Sequence, residues 1–423
     1  MGRKVLVSIL GRGREEKDGT GYSRAKYCFE DGYEQESTFF THSLWKWLKN
    51  DLREPDALVL LGTTGSMWDA LWEVLPDAVK ASEEVSSWKT SLHEICVGEQ
   101  TTMKDLDVRK EPFSFLPFAS YLKMDIIPDC RNSEDIKSFC RILLSHLEPG
   151  DEVILDVTHG YRHLPVLASF LVTSLRWLLN VTVHDVFYGA WEMKKASPDG
   201  IPSVPVVNLG YAATLFEQGA AYATFEITGR YGALAQFFPK QNEKILLTDY
   251  YENIGQIHAA QPHAQKLYQN FSQMEETIDD AWLTAAARKL TQEWKWSHSI
   301  ELHQRMLALA ENLFRRDEFY KSIIMLQEAF YLYTQKKVYG AYQAGKTEEE
   351  TKQIKAKTKV WTIKYLTKAE RQQLNQLRWL RNGLAHSQQS PNRSIQRIME
   401  NRSQMISFLK GIFELIHRYF DNK

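Results

Sequence analysis

The stretch Glu152-Val-Ile-Leu-Asp-Val-Thr-His-Gly-Tyr-Arg162 joins an apolar run to a short polar segment that contains glycine. Its first six residues are mostly aliphatic and predict a short strand that is buried on both faces. A long apolar helical pattern follows at residues 165–179. A buried strand, a tight loop and a helix in this order indicate one unit of a parallel sheet, in which ligands bind at the carboxyl ends of the strands.

Three more runs of the first half predict strands, at residues 4–10, 56–61 and 180–188. The first two also end in glycine-containing loops, Gly11-Arg-Gly13 and Gly62-Thr-Thr-Gly-Ser66. Helical patterns at 66–75 and 133–147 lie between the strands. The sequence therefore predicts an α/β Rossmann-like domain over residues 1–210, with a parallel sheet flanked by helices.

The chain beyond residue 211 has a different pattern. Apolar residues recur at three- and four-residue spacing in three segments, 319–333, 374–384 and 406–416. This periodicity predicts an all-α domain over residues 211–423, with Asp317 as an N-cap. The charged residues 346–359 are expected to form an exposed connector.

Charge is distributed unevenly along the 423 residues, although the formal net charge is only −1. The last 73 residues hold 15 basic and 4 acidic side chains, a net of +11, and the other 350 residues have a net of −12. A concentrated basic segment is typical of a protein that binds a phosphate backbone, and a solvated cationic face gives the same composition.

The glycine-containing loops favour a phosphate-bearing ligand, because they let backbone N–H groups approach an anion closely. A standard dinucleotide fold is disfavoured, since Gly11-Arg-Gly13 lacks the third glycine of G-x-G-x-x-G. No metal site is expected: His159 and His163 have no third ligand nearby, and the helix should begin at Pro165, after both. The four cysteines, Cys28, Cys96, Cys130 and Cys140, show no C-x-x-C spacing. Cysteines without a disulfide or zinc-binding pattern fit a reducing, cytoplasmic location. The apolar run 164–181 is too short to span a bilayer and indicates a buried helix.

The basic segment contains Arg381-Asn-Gly-Leu-Ala-His386. Arginine can hold a phosphate through its planar fork, and histidine can move a proton near neutral pH, so the pair suits metal-free RNA cleavage. On an unbroken helix Arg381 and His386 lie roughly 140° apart, whereas Asn382 and His386 share a face. A convergent site needs relaxation at Gly383 or a second subunit. Composition alone favours a non-catalytic interpretation, in which Arg381 is a surface arginine and His386 interacts with the dipole at a helix C-terminus.

These motifs together resemble the CARF–HEPN ribonucleases of type III CRISPR systems, which cyclic oligoadenylates activate. The likeness in the first half lies in Gly11-Arg-Gly13, in Leu61-Gly-Thr-Thr-Gly-Ser-Met-Trp-Asp69 and in Asp156-Val-Thr-His-Gly-Tyr-Arg162. In the second half it lies in the Arg-x4-His signature. The resemblance implies an N-terminal CARF sensor domain and a C-terminal all-α HEPN domain. It also implies a homodimer, with higher oligomers open, in which each kind of site forms across the two-fold axis.

The same resemblance implies roles for particular residues. Arg381 and His386 would be the catalytic pair, with Asn382 as the orienting residue. The sensor pocket would be lined by Gly11, Arg12, Gly13, Thr63, Thr64, Ser66, Thr158, His159, Gly160 and Arg162. The family often offers a Ser or Thr in the first loop, where this chain has Gly11-Arg-Gly13, and residues 15–37 are long enough to form a flap.

The function expected from these residues together with the resemblance is a cytoplasmic, metal-independent endoribonuclease without a cofactor. It would cleave single-stranded RNA by 2′-hydroxyl attack and leave a 2′,3′-cyclic phosphate. Its activator would be a cyclic oligoadenylate, with the tetra-adenylate favoured over the hexa-adenylate, and no membrane partner is expected. Two alternatives are open: a sensor that also degrades its activator through Thr158, His159 or Arg162, and a non-catalytic module that binds RNA or protein under ligand control.

Overall fold

The structure is a computed structural model, and it describes residues 2–13, 22–51, 53–107, 112–198, 200–274, 280–345, 347–385 and 392–421. The chain divides into two compact units, residues 1–217 and 218–423. The first unit is α/β and the second is helical. Within the described ranges, no helix is both long and apolar enough to cross a membrane.

An eight-stranded, mostly parallel sheet forms the centre of the first unit. Its strands are β1 (Lys4–Leu10), β2 (Ala25–Cys28), β3 (Glu34–Ser37), β4 (Ala57–Gly62), β5 (Leu122–Ile126), β6 (Glu152–Asp156), β7 (Thr182–Gly189) and β8 (Ser203–Asn208). Their order is β3-β2-β8-β7-β6-β1-β4-β5. The five strands from β7 to β5 are parallel, β8 is antiparallel to β7, and β3 is antiparallel to β2. The expected parallel sheet is thus confirmed in its centre and is mixed at one side.

Helices cover both faces of this sheet. The helices of this unit are α1 (Phe40–Asn50), α2 (Asp77–Lys80), α3 (Glu83–Val97), α4 (Ser133–His146), α5 (His163–Leu179) and the start of α6 (Gly210–Thr228), and the two faces are covered by α1 and α3 on one side and by α4 and α5 on the other. Alternate residues of β1 enter opposite cores, with Leu6 on one face and Val5 on the other. Burial on both faces explains why the central strands are continuous apolar runs instead of alternating ones.

The second unit consists of α7 (Asn242–Asn253), α8 (Ile257–Met274), α9 (Ala281–Trp294), α10 (Leu302–Arg315), α11 (Phe319–Tyr339), α12 (Glu348–Tyr365), α13 (Lys368–Ala385), α14 (Arg393–Glu400) and α15 (Arg402–Asp421). The three periodic segments of the sequence correspond to α11, α13 and α15. Their apolar stripes enter one core, which includes Ile323, Leu377 and Leu409.

Two local expectations about the second unit are wrong. A connector was expected over residues 346–359, but residues 348–359 belong to α12, which begins after a reciprocal capping box of Thr347 and Glu350; residue 346 lies outside the described ranges. Asp317 is not the N-cap of α11: it adopts a left-handed conformation with φ 60°, and Glu318 occupies the cap position.

The helix expected within residues 66–75 is confirmed as a 3-10 helix from Trp68 to Val74. Two local expectations about the first unit need correction. Helix α5 begins at His163, two residues before Pro165, because proline is tolerated in the first turn. One face of α5 is exposed, with Phe170, Trp177 and Leu178 in solvent, so the helix is only partly buried.

Residues 15–37 were expected to provide a flap. Residues 25–37 instead contain β2 and β3, which pair with each other and extend the sheet beyond β8. Residues 15–21 lie outside the described ranges. Residues 25–37 therefore form one edge of the sheet and not a flap.

Candidate functional site

The loops after β1, β4 and β6 lie at one edge of the sheet, because these strands are parallel neighbours. Strand β1 lies between the other two, and the chain order reverses at this point. Such a reversal opens a crevice at the carboxyl ends of the strands, where α/β proteins bind their ligands. The three loops predicted as ligand-binding are therefore brought together.

Gly11 and Gly160 make the closest approach between two of these loops. A Cβ on Gly11 would lie 2.2 Å from the backbone N of Gly160. Gly160 itself has φ +92°, and a Cβ there would lie 2.7 Å from Cγ2 of Ile9. Only glycine satisfies both demands, since any side chain would push the loops apart. The two glycines thus set the width of the crevice.

Ser66 and Thr63 tie the third loop to β1. The Ser66 hydroxyl donates to the carbonyl of Leu10 (2.7 Å) and accepts from the Thr63 N–H (2.8 Å). The Met67 N–H also donates to the carbonyl of Gly11 (2.9 Å). Both Ser66 and Thr63 are buried, whereas Thr64 in the same turn is partly exposed. Ser66 therefore holds the loops together with hydrogen bonds inside the protein.

Asp156 organises the loop after β6. Its buried carboxylate accepts hydrogen bonds from the hydroxyls of Ser8 (2.7 Å) and Thr41 (2.8 Å) and from the Thr158 N–H (2.9 Å). The Thr158 hydroxyl in turn accepts from the Gly189 N–H at 2.8 Å. A buried carboxylate is tolerated only when it has such donors. Asp156 thus orients the turn that carries Thr158 and His159.

His159 is held in its neutral form. The Phe40 N–H, at the start of α1, donates to its Nε2 at 3.4 Å, which requires an unprotonated Nε2. Burial lowers the pKa of His159, and the nearby Asp156 opposes that shift. The imidazole therefore contributes hydrogen bonds, not positive charge, to the edge of the sheet.

Replacing His159 with glutamine is expected to make the fold less sensitive to acid. The unfolded chain takes up a proton near pH 6.5 and the folded chain only at lower pH, so the protein loses stability through His159 as the pH falls below about 6.5. Glutamine keeps an acceptor for the Phe40 N–H and does not titrate. Chemical unfolding at pH 7 and pH 5 should show the wild type losing stability relative to His159→Gln, by no more than about 1.4 kcal/mol per pH unit. Parallel curves for the two proteins would contradict the neutral assignment.

Two cavities adjoin this edge of the sheet. One has a volume of about 150 Å³ and is lined by Arg12, Gly13, Thr158 and His159 among the predicted residues. The other has about 700 Å³ and is lined by Thr158, His159, Gly160 and Arg162. Gly11, Thr63, Thr64 and Ser66 are not part of either lining. The predicted set thus separates into residues that face the cavities and residues that shape the loops behind them.

Several lining residues were missed in the sequence. Tyr22, Tyr27, Tyr188, Trp191 and Glu192 line the smaller cavity. The Tyr188 hydroxyl donates to Glu192 at 2.5 Å, and burial together with this carboxylate raises the pKa of Tyr188 to about 12. Tyr188 and Glu192 also line the larger cavity. The signal was available for these two, since Tyr188 lies at the carboxyl end of β7, Glu192 follows it, and this strand end lies at the same edge of the sheet.

The two histidines once considered as metal ligands have other partners. His163 makes a 2.7 Å hydrogen bond to the carbonyl of Asp129 and stacks on Tyr161. His159 is engaged with Phe40 as described above. Among the described residues, no group of three or more His, Cys, Asp or Glu side chains is arranged to hold a metal ion.

In the second unit, Arg381 and Asn382 lie on the last turns of α13, and both are exposed. The Arg381 Nη1 donates to Oδ1 of Asn382 at 3.1 Å, so the amide fixes one side of the guanidinium. The helix continues through Gly383 to Ala385 and shows no relaxation there. His386 lies outside the described residues.

Arg381 and Asn382 line a groove of about 620 Å³ bounded by α11, α12 and α13. Glu328 of α11 lies in the same lining. Its side chain is exposed at the surface, yet the surrounding helices displace enough water to raise the pKa of its carboxyl, while the Arg381 and Lys355 charges oppose that shift.

Comparison with known proteins bears mainly on the first unit. Residues 5–192 match the family model described as the CARF domain of CRISPR system endoribonuclease Csx1. Over these residues the chain is therefore similar to a CARF domain. The CRISPR-associated protein MJ1674 of Methanocaldococcus jannaschii is 27% identical over 231 residues, which are 49% of this chain and 33% of that protein. The match thus spans about a third of the length of this curated relative.

A solved structure, Enterococcus italicus Csm6 bound to cyclic hexa-2′-fluoro-hexa-dAMP, aligns with 99% of this chain and 95% of its own. The sequence identity is 12% and the TM-score is 0.38. A likeness at this score gives no basis for transferring a fold or a site.

Proposed function

We propose that the chain is a cytoplasmic ribonuclease of type III CRISPR defence that a cyclic oligoadenylate activates. The observation that carries this proposal is the match of residues 5–192 to a CARF domain, over the same unit whose loops meet at one sheet edge beside two cavities. The sensor occupies the first unit, and a HEPN-type active site occupies the second.

The activator binds at the carboxyl edge of the sheet. Arg12 and Arg162 are exposed there, and their guanidinium groups can hold phosphates. Backbone N–H groups of the glycine-containing loops add donors. The rings of Tyr22, Tyr188 and Trp191 offer faces on which adenine bases can stack. These local donors hold an anionic ligand on a portion of the chain whose overall charge is negative.

Cleavage uses Arg381, Asn382 and His386 and needs no metal ion. Arg381 stabilises the negative charge of the pentavalent phosphorane-like transition state, and Asn382 orients Arg381 through the hydrogen bond described above. His386 transfers the proton of the 2′-hydroxyl or of the leaving oxygen. The products are a 2′,3′-cyclic phosphate and a 5′-hydroxyl.

The active form is a homodimer, which can assemble further. Because α13 is regular through Gly383, a continued helix would direct Arg381 and His386 to different sides. Two chains can instead contribute these groups to one site. The exposed apolar side chains of α5 and α6, including Phe170, Trp177 and Phe216, offer a surface for a second copy. The activator shifts the dimer toward its active arrangement by binding that arrangement more tightly.

The test is RNA cleavage by pure protein in EDTA with cyclic tetra-adenylate, cyclic hexa-adenylate or no ligand. We expect labelled single-stranded RNA to be cut only with a cyclic ligand, faster with the tetra-adenylate, and to carry a 2′,3′-cyclic phosphate. Absence of cleavage with every ring size would overturn the nuclease proposal.

Degradation of the activator is a second candidate function, because Thr158, His159 and Arg162 line the larger cavity. Incubations with the cyclic ligand but without RNA address it. Linear adenylates in these incubations would support it, and an intact ring after prolonged incubation would exclude it.

A further inference from the structure

The groove that contains Arg381 and Asn382 is lined by side chains of three helices. Gln327, Glu328 and Tyr331 come from α11, Lys355, Lys359 and Thr362 from α12, and Asn375 and Arg378 from α13. With a volume of about 620 Å³ it is wide enough for several linked groups of a polymer and not only for one small ion. Most of its lining residues are polar, and the apolar Phe330 and Leu377 in the lining are buried.

The charge of the lining is strongly one-sided. Lys355, Lys359, Arg378 and Arg381 are all exposed, and Glu328 is the one carboxylate among the lining residues. Neither Lys359 nor Arg378 forms a salt bridge within the described ranges. Like charges that face one another across a groove repel each other, and an anionic occupant removes that penalty. The groove is therefore built for an anion with more than one charge.

Other lysines of α12 have partners of their own. The Lys352 ammonium pairs with Glu348 at 2.8 Å, and the Lys357 ammonium lies 5.5 Å from the ring centre of Tyr339. Neither residue lines the groove. The lysines of α12 with neither a salt bridge nor a ring contact among the described residues are thus Lys355 and Lys359, which both line the groove and lie one helical turn, about 6 Å, apart.

We propose that this groove seats the sugar–phosphate backbone of the RNA substrate beside the scissile phosphate. Lys355 and Lys359 contact successive phosphates from one wall and Arg378 contacts the backbone from the other, while Tyr331 and Asn375 face bases or riboses. The proposal rests on the proposed function, because Arg381 and Asn382 lie in the same lining and mark where the phosphodiester is cut. An RNA strand fits better than an acidic protein because its charges are regularly spaced and its bases suit the ring and amide.

The test is binding of a fluorescent single-stranded 2′-O-methyl RNA, which lacks the attacking hydroxyl and cannot be cut. We compare Lys355→Gln/Lys359→Gln with the matched control Lys352→Gln/Lys357→Gln, which removes the same charge from the same helix. We expect the groove variant to bind at least about tenfold more weakly, with the slope of log Kd against log salt reduced by about 1.4 for two lost phosphate contacts. The control should stay within about twofold of the wild type. Arg378→Gln should reduce the slope by about 0.7.

Two further results separate this proposal from the nuclease proposal. If no cyclic ligand elicits cleavage, selective loss of binding in the groove variants still supports an RNA seat. If the wild type cleaves RNA and the groove variants bind and cleave it equally well, the proposal that the groove binds RNA is contradicted, whereas the nuclease proposal is supported. Equal weakening in the control would mean attraction by the overall charge and would overturn the proposal, as would equal competition by polyglutamate. Circular dichroism melting of each variant verifies that these surface changes leave the fold intact.

Discussion

Replacing Arg381 with alanine is expected to lower the rate of activated RNA cleavage by about 10²- to 10³-fold, the usual effect of removing one donor to a developing charge. Binding of the cyclic oligoadenylate should not change, because Arg381 lies in the second unit. The loss should appear in kcat, since the guanidinium acts on the transition state. Single-turnover cleavage and isothermal titration calorimetry of the ligand measure the two quantities.

His386→Ala is expected to have a comparable effect, because proton transfer by a positioned side chain contributes about 10²- to 10⁴-fold. Arg393→Ala is the matched control: it removes one exposed positive charge from the same basic segment and should cleave like the wild type. Full activity of His386→Ala would show that the Arg-x4-His motif is not the active site. Asn382→Ala should lose less than Arg381→Ala, since it releases the guanidinium without removing it.

The centre of the first unit follows from its sequence because burial on both faces requires continuous aliphatic runs. Strand β1 has the predicted bounds, β4 is shifted by one residue toward the C-terminus, and β6 ends one residue earlier than predicted. Strand β7 begins later than predicted, at Thr182, since Asn180 adopts φ 55° to end α5. Short polar strands give no such signal, and the sequence of β3, Glu-Gln-Glu-Ser, therefore does not predict a strand.

Helix α12 shows why composition wrongly predicted a connector in this part of the chain. Its residues are mostly polar and lack an apolar stripe, so periodicity could not reveal it. Its first turn nevertheless contains Thr347 followed by Glu350, a capping signature that is visible in the sequence. This helix matters for function, because it supplies one wall of the groove beside Arg381.

At the candidate ligand site, the sequence identified the loops but not which of their residues line the cavities and which hold the loops together. Ser66 and Thr158 are both small hydroxyl residues after strands, and pattern alone treats them alike. The hydroxyl of Ser66 bonds to Leu10 and Thr63, whereas Thr158 lines both cavities. That difference depends on which neighbouring strand each loop meets, which only the sheet order determines.

Gly11→Ala is expected to raise the activator concentration for half-maximal cleavage by about tenfold or more, which corresponds to about 1.4 kcal/mol of binding free energy. The new Cβ would lie 2.2 Å from the Gly160 backbone N, so the β1 and β6 loops must separate. Thr158 and His159 move with the β6 loop, and the cavity residues no longer converge. Dose–response curves of cleavage and calorimetric titration with cyclic tetra-adenylate measure the shift.

Gly32→Ala is the control for this substitution. Gly32 lies in the turn before β3, and a Cβ there would meet no atom within 4 Å, although its φ of +85° makes alanine cost about 1 kcal/mol of stability. The control should therefore melt at a slightly lower temperature than the wild type and need the same activator concentration for half-maximal cleavage. If Gly11→Ala has the melting temperature and the ligand affinity of the wild type, Gly11 and Gly160 do not determine the width of the crevice. If it binds weakly while Gly32→Ala, at equal or lower thermal stability, binds normally, the defect lies in the crevice itself and not in general loss of fold.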